Sequence, residues 1–433
     1  MIATVIISIL TCVFLILSVL FFPKLKILGK EINTYFLVCL LGAILILAFN
    51  CISFSDAFNG LTTKSDVNPF KILILFISMT FLSVFLDEVG FFSYLASFAT
   101  KKAKSNQLTL FILLYALVSV LTVFTSNDIV ILTFTPFICY FAKNTKINPI
   151  PYLVAEFAAA NTWSMMLIIG NPTNIYLATA WNINFIEYLK VMAFPTLVAG
   201  IVEVSIIYFL FRKQLKTPLN LTVSDVKIED KTSLIIGLSH LSVCLILLVI
   251  SSYVSLPMWI ICLASAVSLI VFSLSFSLAR KKPLKPLANT AKRLPWDLIP
   301  FVLSMFIIVL ALGKQGVTEH IRSFLGDKNV IFSYGFTSYL ACNLINNIPM
   351  SVLYSTIPNF SQTTLNMQAV YSTIIGSNIG AFLTPIGALA GIMFTGLISK
   401  HEVKYSFKSF ILYGIIISVP TITCSLLALT IVL

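Results

Sequence analysis

The sequence predicts an all-α membrane protein built from two inverted repeats, each with five transmembrane helices, one re-entrant hairpin and a broken helix. Three observations carry this. Apolar residues fill 58% of the 433 positions and charged residues only 10%, with mean hydropathy +1.00. Runs such as 2–22, 33–54, 233–252 and 256–279 therefore reach the ~20 residues that a span requires. The basic residues cluster in short loops between these runs. Polar, helix-breaking stretches also interrupt apolar segments at matching places in the two halves, where irregular backbone is tolerated only if it is buried in protein or lines a cavity.

The loops fix the path. Loops 22–33, 100–106, 142–150, 211–232, 280–296 and 399–408 hold 22 of the 28 Lys and Arg residues, which assigns them to the cytoplasm. The N-terminus is then outside. Span 2–22 lacks a basic leader and a small-residue cleavage site, so it reads as a retained span, not a signal peptide. It enters, 33–54 leaves, and 71–86 enters again before an amphipathic stretch, 87–100. Segment 107–143 has Lys101, Lys102 and Lys104 before it and Lys143 and Lys146 after it. Both ends are thus cytoplasmic: two full spans would satisfy this, but the break at Thr125-Ser126-Asn127-Asp128 in its middle favours a re-entrant hairpin. Segment 151–181 crosses outward with a break at Gly170-Asn171-Pro172-Thr173-Asn174, and 190–212 returns.

The first repeat is 1–212, and 213–232 is a cytoplasmic linker. The second repeat, 233–433, runs the same order the other way up, because five crossings is an odd number. It has spans 233–252, 256–279 and 297–313, a hairpin 331–357 broken at Asn346-Asn347-Ile348-Pro349, and a final span, 408–432. Its broken span, 367–398, is interrupted at Ser377-Asn378-Ile379-Gly380 and again at Thr384-Pro385-Ile386-Gly387. Both termini lie outside a plasma membrane. Internal similarity supports the repeat: Ser78-Met79 and Gly90 align with Ser304-Met305 and Gly316, Asn127-Asp128 with Asn346-Asn347, and Asn161 with Asn378.

Composition also excludes. The net charge of +12 follows from the loop lysines and arginines, and no basic-aromatic alternation suggests nucleic acid. The eight cysteines are scattered singly through apolar segments and read as small buried hydrophobes. Neither they nor His240, His320 and His401 form a metal-ligand pattern. No phosphate-binding loop or hydrolase motif is present, and no nucleophile–base pair can be assembled at depth, which argues against an enzyme. Energy for transport must then come from an ion gradient or from a separate ATPase. Paired breaks in two repeats point to a transporter site at mid-membrane.

Half-helices that meet there offer N–H groups to an anion and freed carbonyls to a cation. Asn, Ser and Thr suit such a site because they donate or accept without full charge. The expected binding residues are Ser126, Asn127, Asp128, Asn161, Thr162, Asn171, Thr173, Asn174, Asn346, Asn347, Ser377, Asn378 and Thr384; the plainer alternative is that they cap or bridge helices. A Na⁺ ion is expected near Asn127, Asp128, Asn346 and Asn347, with no other cofactor. Intramembrane acids are functional candidates by default. Asp128 is the leading coupling residue, unless it merely caps the second hairpin arm. Glu156, Asp87 and Glu88 are further coupling candidates. Lys314, in the place matching Asp87-Glu88, reads as interfacial, and Glu203 has no second signal.

At this point the chain resembles the arsenite/antimonite efflux permeases (arsenical pump membrane proteins) of the ion transporter superfamily. The resemblance spans essentially the whole length. It rests on Leu86-Asp87-Glu88-Val89-Gly90-Phe91-Phe92, Ser126-Asn127-Asp128 with Leu132-Thr133-Phe134-Thr135-Pro136, and Trp296. In the second half it rests on Asn346-Asn347-Ile348-Pro349 and Ile374-Ile375-Gly376 running to Thr384-Pro385-Ile386-Gly387. It implies extrusion of a neutral trihydroxy arsenic or antimony species, coupled to H⁺ or Na⁺ or driven by a soluble ATPase subunit, and it implies a homodimer. Where those permeases carry Cys-Asp-Leu-Gly, this chain has Ser377-Asn378-Ile379-Gly380, a departure towards Na⁺/H⁺ antiporters and Na⁺-coupled carboxylate carriers of the same superfamily. The expected function is a secondary transporter of a small inorganic solute, with those two as alternatives. The expected partners are the lipid bilayer, the solute and its coupling ion.

Overall fold

The computed structural model describes residues 1–22, 24–27, 30–62, 68–104, 106–218, 228–254, 256–281 and 284–433; residues 219–227 of the expected linker lie outside these. The first half contains α1 (Ile2–Phe21), a two-stranded ribbon of β1 (Lys24–Ile27) and β2 (Lys30–Asn33), α2 (Thr34–Ala48), α3 (Phe54–Thr62), α4 (Pro69–Glu88) and α5 (Phe91–Ala103). It continues through α6 (Gln107–Phe124), α7 (Asn127–Thr145), α8 (Ile150–Trp163), α9 (Pro172–Ala180) and α10 (Phe185–Leu215). The second half contains α11 (Lys231–Val254), α12 (Met258–Ala279), α13 (Lys285–Arg293), α14 (Leu298–Lys314) and α15 (Val317–Leu325). It ends with α16 (Val330–Ile345), α17 (Asn347–Tyr354), α18 (Thr363–Gly380), α19 (Leu389–Lys400) and α20 (Phe407–Val432).

Each helix of the first half has a counterpart in the second, and their packing is reciprocal. Helix α2 lies on α14 while α12 lies on α4; α7 packs on α19 while α17 packs on α9; α10 and α20 pack on each other. The two halves therefore interleave in the packed molecule. Left-handed glycines mark the same corner in each: Gly90 (φ 84°) turns α4 into α5 and Gly316 (φ 74°) turns α14 into α15. An ion pair braces each corner with its charges reversed. Asp87 and Glu88 at the end of α4 hold Arg293 of α13 at 2.7 and 2.6 Å, and Lys314 at the end of α14 holds Asp56 of α3 at 2.7 Å. The hydrogen bond from Lys314 keeps the Asp56 carboxyl below its usual value.

Among the described residues, eight helices are long and apolar enough to cross a membrane: α1, α4, α6, α10, α11, α12, α14 (within Lys285–Lys314) and α20. Large apolar side chains stand exposed on α1, α11 and α12, including Ile9, Phe14, Ile246 and Phe272; lipid is the solvent for such faces. Helix starts are set locally. Asn68 caps α4, accepting from the Phe70 N–H at 2.8 Å, with Pro69 at the first turn. Asn184 and Glu187 form a reciprocal capping box at the start of α10.

Four expectations need correction. The loop 22–33 is partly a β-ribbon, with Lys24 opposite Asn33; the alternation Lys-Leu-Lys-Ile is a short period-two pattern. Helix α2 stops at Ala48 instead of running to 54. The loop 280–296 contains α13. The second broken span has one interruption, not two, because α18 continues through Ser377-Asn378-Ile379-Gly380. Ser377 and Asn378 stay helical by donating to the carbonyl of Ile374 one turn back, at 2.9 and 2.8 Å.

Helices α16 and α18 approach closely because Gly376 and Gly380 of α18 face α16, as small residues allow in membranes; Gly335 of α16 makes room for Leu426 of α20. A methyl on Gly376 would meet Ser338 Oγ and the carbonyl oxygen of Gly335. Gly376→Ala is expected to destabilise by about 1–3 kcal/mol, read as a lower melting temperature of the purified protein in detergent; an unchanged melting temperature would refute this packing.

Candidate functional site

The breaks follow from local sequence. In the first repeat α8 ends at Trp163, and two single 3₁₀ turns, Ser164–Met166 and Ile168–Gly170, lead to an extended Asn171. Pro172 lacks the N–H that a continuing helix needs but suits the first turn of α9, which Asn171 caps by accepting from the Thr173 N–H at 3.1 Å. In the second repeat α18 gives way at Ala381, and the chain passes Pro385 and Gly387 to an extended Ala388 before α19. The hairpin tips are tighter. Thr125-Ser126 separates α6 from α7, and Asn346 (φ 70°) separates α16 from α17.

Each tip meets the break of its own repeat. Asn127 Nδ2 donates to Asn161 Oδ1 at 3.3 Å. Asn161 lies 11 residues after Ile150, so this tip meets α8 ~17 Å along its length. In the second repeat the Asn347 N–H donates to the Gly387 carbonyl at 2.9 Å and Asn346 Nδ2 to that of Ile386 at 3.1 Å. Asn343 organises this side: its Nδ2 donates to the Gly380 carbonyl at 2.9 Å, and its Oδ1 accepts from the Thr384 N–H and Oγ1 at 3.1 and 2.7 Å. The sequence reading missed Asn343, although it stands one turn before Asn346.

The two repeats join at Asn378. Its Nδ2 donates to Asn174 Oδ1 at 2.7 Å and to the Ile374 carbonyl; its Oδ1 accepts from Asn171 Nδ2 at 3.0 Å and Ser164 Oγ at 2.9 Å. Two donors and two acceptor sites are the full capacity of an amide. Thr173 Oγ1 and Ser377 Oγ meet alongside at 3.2 Å, and Asn174 Nδ2 satisfies the Ser164 carbonyl exposed by the break at 2.8 Å. Ser164, Thr173, Asn174, Ser377 and Asn378 are completely buried. Of the expected binding residues, Asn378 is therefore saturated in this arrangement, and Asn171, Thr173, Asn174 and Ser377 are bonded to it or to one another. Ser164, three residues after Asn161, is a further member that the sequence reading missed.

Free capacity lies at the first tip. Ser126 Oγ and Asn127 Oδ1 are buried with no hydrogen-bond partner, which in a native interior calls for an explanation. Beside them Asp128 stands half-buried in the first turn of α7. It does not cap that helix: the cap position is Ser126. Tyr35 of α2 is within its electrostatic reach. Two neutral oxygens and a carboxylate are the hard donors that an alkali cation takes, so these residues fit Na⁺. Among the described residues no hydrogen bond links this tip to Asn346 or Asn347, whose side chain and N–H bond to the carbonyls of Ile386 and Gly387.

The other acids differ in kind. Glu156 of α8 is buried, with Thr135 Oγ1 3.0 and 3.1 Å from its two oxygens. Asp87 and Glu88 are bound to Arg293 at the α4 corner. Thr162 faces α10, where it donates to Glu203 and not into the Asn378 cluster.

Residues 27–369 match the family model described as Citrate transporter (CitMHS). An arsenical pump membrane protein of Yersinia enterocolitica is 26% identical over 374 residues, covering 82% of this chain and 84% of its own. One from Escherichia coli is 25% identical with the same coverage. An uncharacterized transporter of Synechocystis is 23% identical, covering 90% and 91%. Among solved structures, the YdaH transporter of Alcanivorax borkumensis, described as having an unusual topology, superposes with a TM-score of 0.52 over 99% of this chain and 97% of its own, at 12% identity.

Proposed function

This chain belongs to the citrate transporter (CitMHS) family of secondary transporters, and within it we propose that it moves a small uncharged oxyacid, arsenite or antimonite in its trihydroxy form, in exchange for H⁺ or Na⁺. The observation that carries this is the first hairpin tip. Ser126 Oγ and Asn127 Oδ1 await donors, Asp128 supplies one negative charge, and the hydrogen-bonded cluster beside them contains no Lys or Arg among the described residues. A trihydroxide can donate into those oxygens, while the acid balances a coupling cation. The relatives named as arsenical pumps support the same substrate class. The reading includes a plasma-membrane location with both termini outside, a homodimer, and a soluble ATPase as the alternative energy source.

A second reading, a carboxylate carrier, is favoured by the family's description and by the starts of α7, α9, α17 and α19. All four open at the breaks, where their N–H groups attract anions. The test is flux into proteoliposomes carrying imposed pH and Na⁺ gradients, with arsenite, citrate and Na⁺ compared. Arsenite movement that collapses with the gradient supports the first reading. Citrate movement without arsenite movement moves the chain to the second, and Na⁺-dependent proton flux alone makes it an antiporter.

A further inference from the structure

Helix α10 carries Glu203 at full burial. An uncompensated charge there is costly, so its neighbours decide what the acid does. Helix α6 presents Tyr115, with Oη 2.9 Å from Glu203 Oε1. Helix α8 presents Thr162, which donates to Oε2, and Trp163, whose Nε1 donates to Tyr115 Oη at 3.1 Å. Within α10, the Gly200 carbonyl lies 2.9 Å from the same Oη. The charged or titratable side chains on the packed helices engage elsewhere or stand apart: Glu156 on α8 is held by Thr135, His240 on α11 by Ser268 and Ile236, and Lys231 and Lys408 stand at helix starts. Among the described residues Glu203 has no ion-pair partner, and Tyr115 is the one titratable group that touches it.

A phenol has one proton and two acceptor positions, and here Tyr115 meets three partners. Trp163 occupies one acceptor position. If Glu203 is a carboxylic acid, it donates into the other, and the Tyr115 proton goes to the Gly200 carbonyl, so every contact is satisfied. If Glu203 is a carboxylate, the Tyr115 hydroxyl turns and donates to it. The two arrangements differ by one proton and one hydroxyl rotation. The acid is also tied to the break, since Thr162 and Trp163 are the last residues of α8 before the 3₁₀ turns. The matching helix pair in the second repeat, α16 and α20, joins Tyr339 Oη to Ser418 Oγ at 2.6 Å, with a neutral hydroxyl in place of the acid.

We propose that Glu203 is the proton-coupling carboxyl of this transporter, taking one proton from the medium on one side and releasing it to the other as the first break rearranges. This rests on the transporter reading above. With the membrane potential clamped, one proton per cycle lets a one-unit pH difference sustain an about tenfold gradient of an uncharged solute. Glu203→Gln keeps a side chain of the same shape without the titrating proton and is expected to abolish that pH-driven accumulation, while Glu203→Asp recovers part of it. Accumulation in the Gln variant equal to wild type overturns the proposal, as does wild-type accumulation driven by Na⁺ and indifferent to pH. A readout independent of the solute is pH-difference infrared spectroscopy of the full chain in liposomes: one component of the carboxylic C=O band of wild type is expected to be lost in Glu203→Gln, and identical spectra overturn the assignment. A wild type that moves no tested solute defeats the transport reading, and the infrared comparison still decides Glu203. Should the Gln variant fail to assemble, Tyr115→Phe is expected to shift the pH at which the band appears, and an unshifted band overturns the proposal.

Discussion

Asn378→Ala is expected to abolish transport and to destabilise the protein by about 2–4 kcal/mol, because a buried donor and a buried acceptor lose their partners at once. Asn171 Nδ2 depends on Asn378 across the junction of the repeats and Asn174 Oδ1 is left with only the long bond from Thr173 Oγ1 at 3.4 Å, whereas Ser164 Oγ keeps the Asn161 carbonyl at 2.6 Å. The loss should appear both as flux at background and as a lower melting temperature in detergent. Asn378→Asp removes the donor side: it keeps the shape and the acceptor oxygens but gives up the bonds to Asn174 and to the Ile374 carbonyl and adds a buried charge. Wild-type flux and melting in the Ala variant would show that the two breaks are not held together here.

Asp128→Asn should do the reverse, leaving stability intact while coupled flux falls about a hundredfold, equivalent to about 2.7 kcal/mol of lost interaction. Its carboxylate is not the cap of α7 and is not in any ion pair among the described residues, so neutralising it breaks no native bond. What it removes is the one negative charge beside Ser126 Oγ and Asn127 Oδ1. Titration of flux with Na⁺ at fixed pH separates this from the proton step, since a cation site at the tip should lose Na⁺ affinity. A variant that moves solute with wild-type coupling would remove Asp128 from the mechanism.

Much of the architecture was legible because it follows from composition along one dimension. A length of about 20 apolar residues measures a bilayer. Gly170-Asn171-Pro172 marks a break because Pro172 withholds an N–H next to a glycine and an Asn that caps the following helix. The Asp87-Glu88 and Lys314 corners were also visible as a matched pair, but their partners, Arg293 and Asp56, lay in loops with no signal of their own. Ser377-Asn378 misled because polar residues read as a break can stay helical when their side chains bond to the preceding turn.

The sequence by itself determined that this chain spans the membrane in two inverted halves and that Asn, Ser and Thr gather where its helices break. Only the tertiary structure decided which of them are available. Hydrogen-bond saturation is a property of neighbours distant in the chain: Asn378 is filled by residues some two hundred positions away, while Ser126 and Asn127 of the first tip are left with unpaired oxygens. The same holds for Glu203, an unremarked acid in an apolar helix until α6 and α8 bring Tyr115 and Thr162 against it. Residue type sets how many bonds a group can make, and the fold alone sets how many remain to be made.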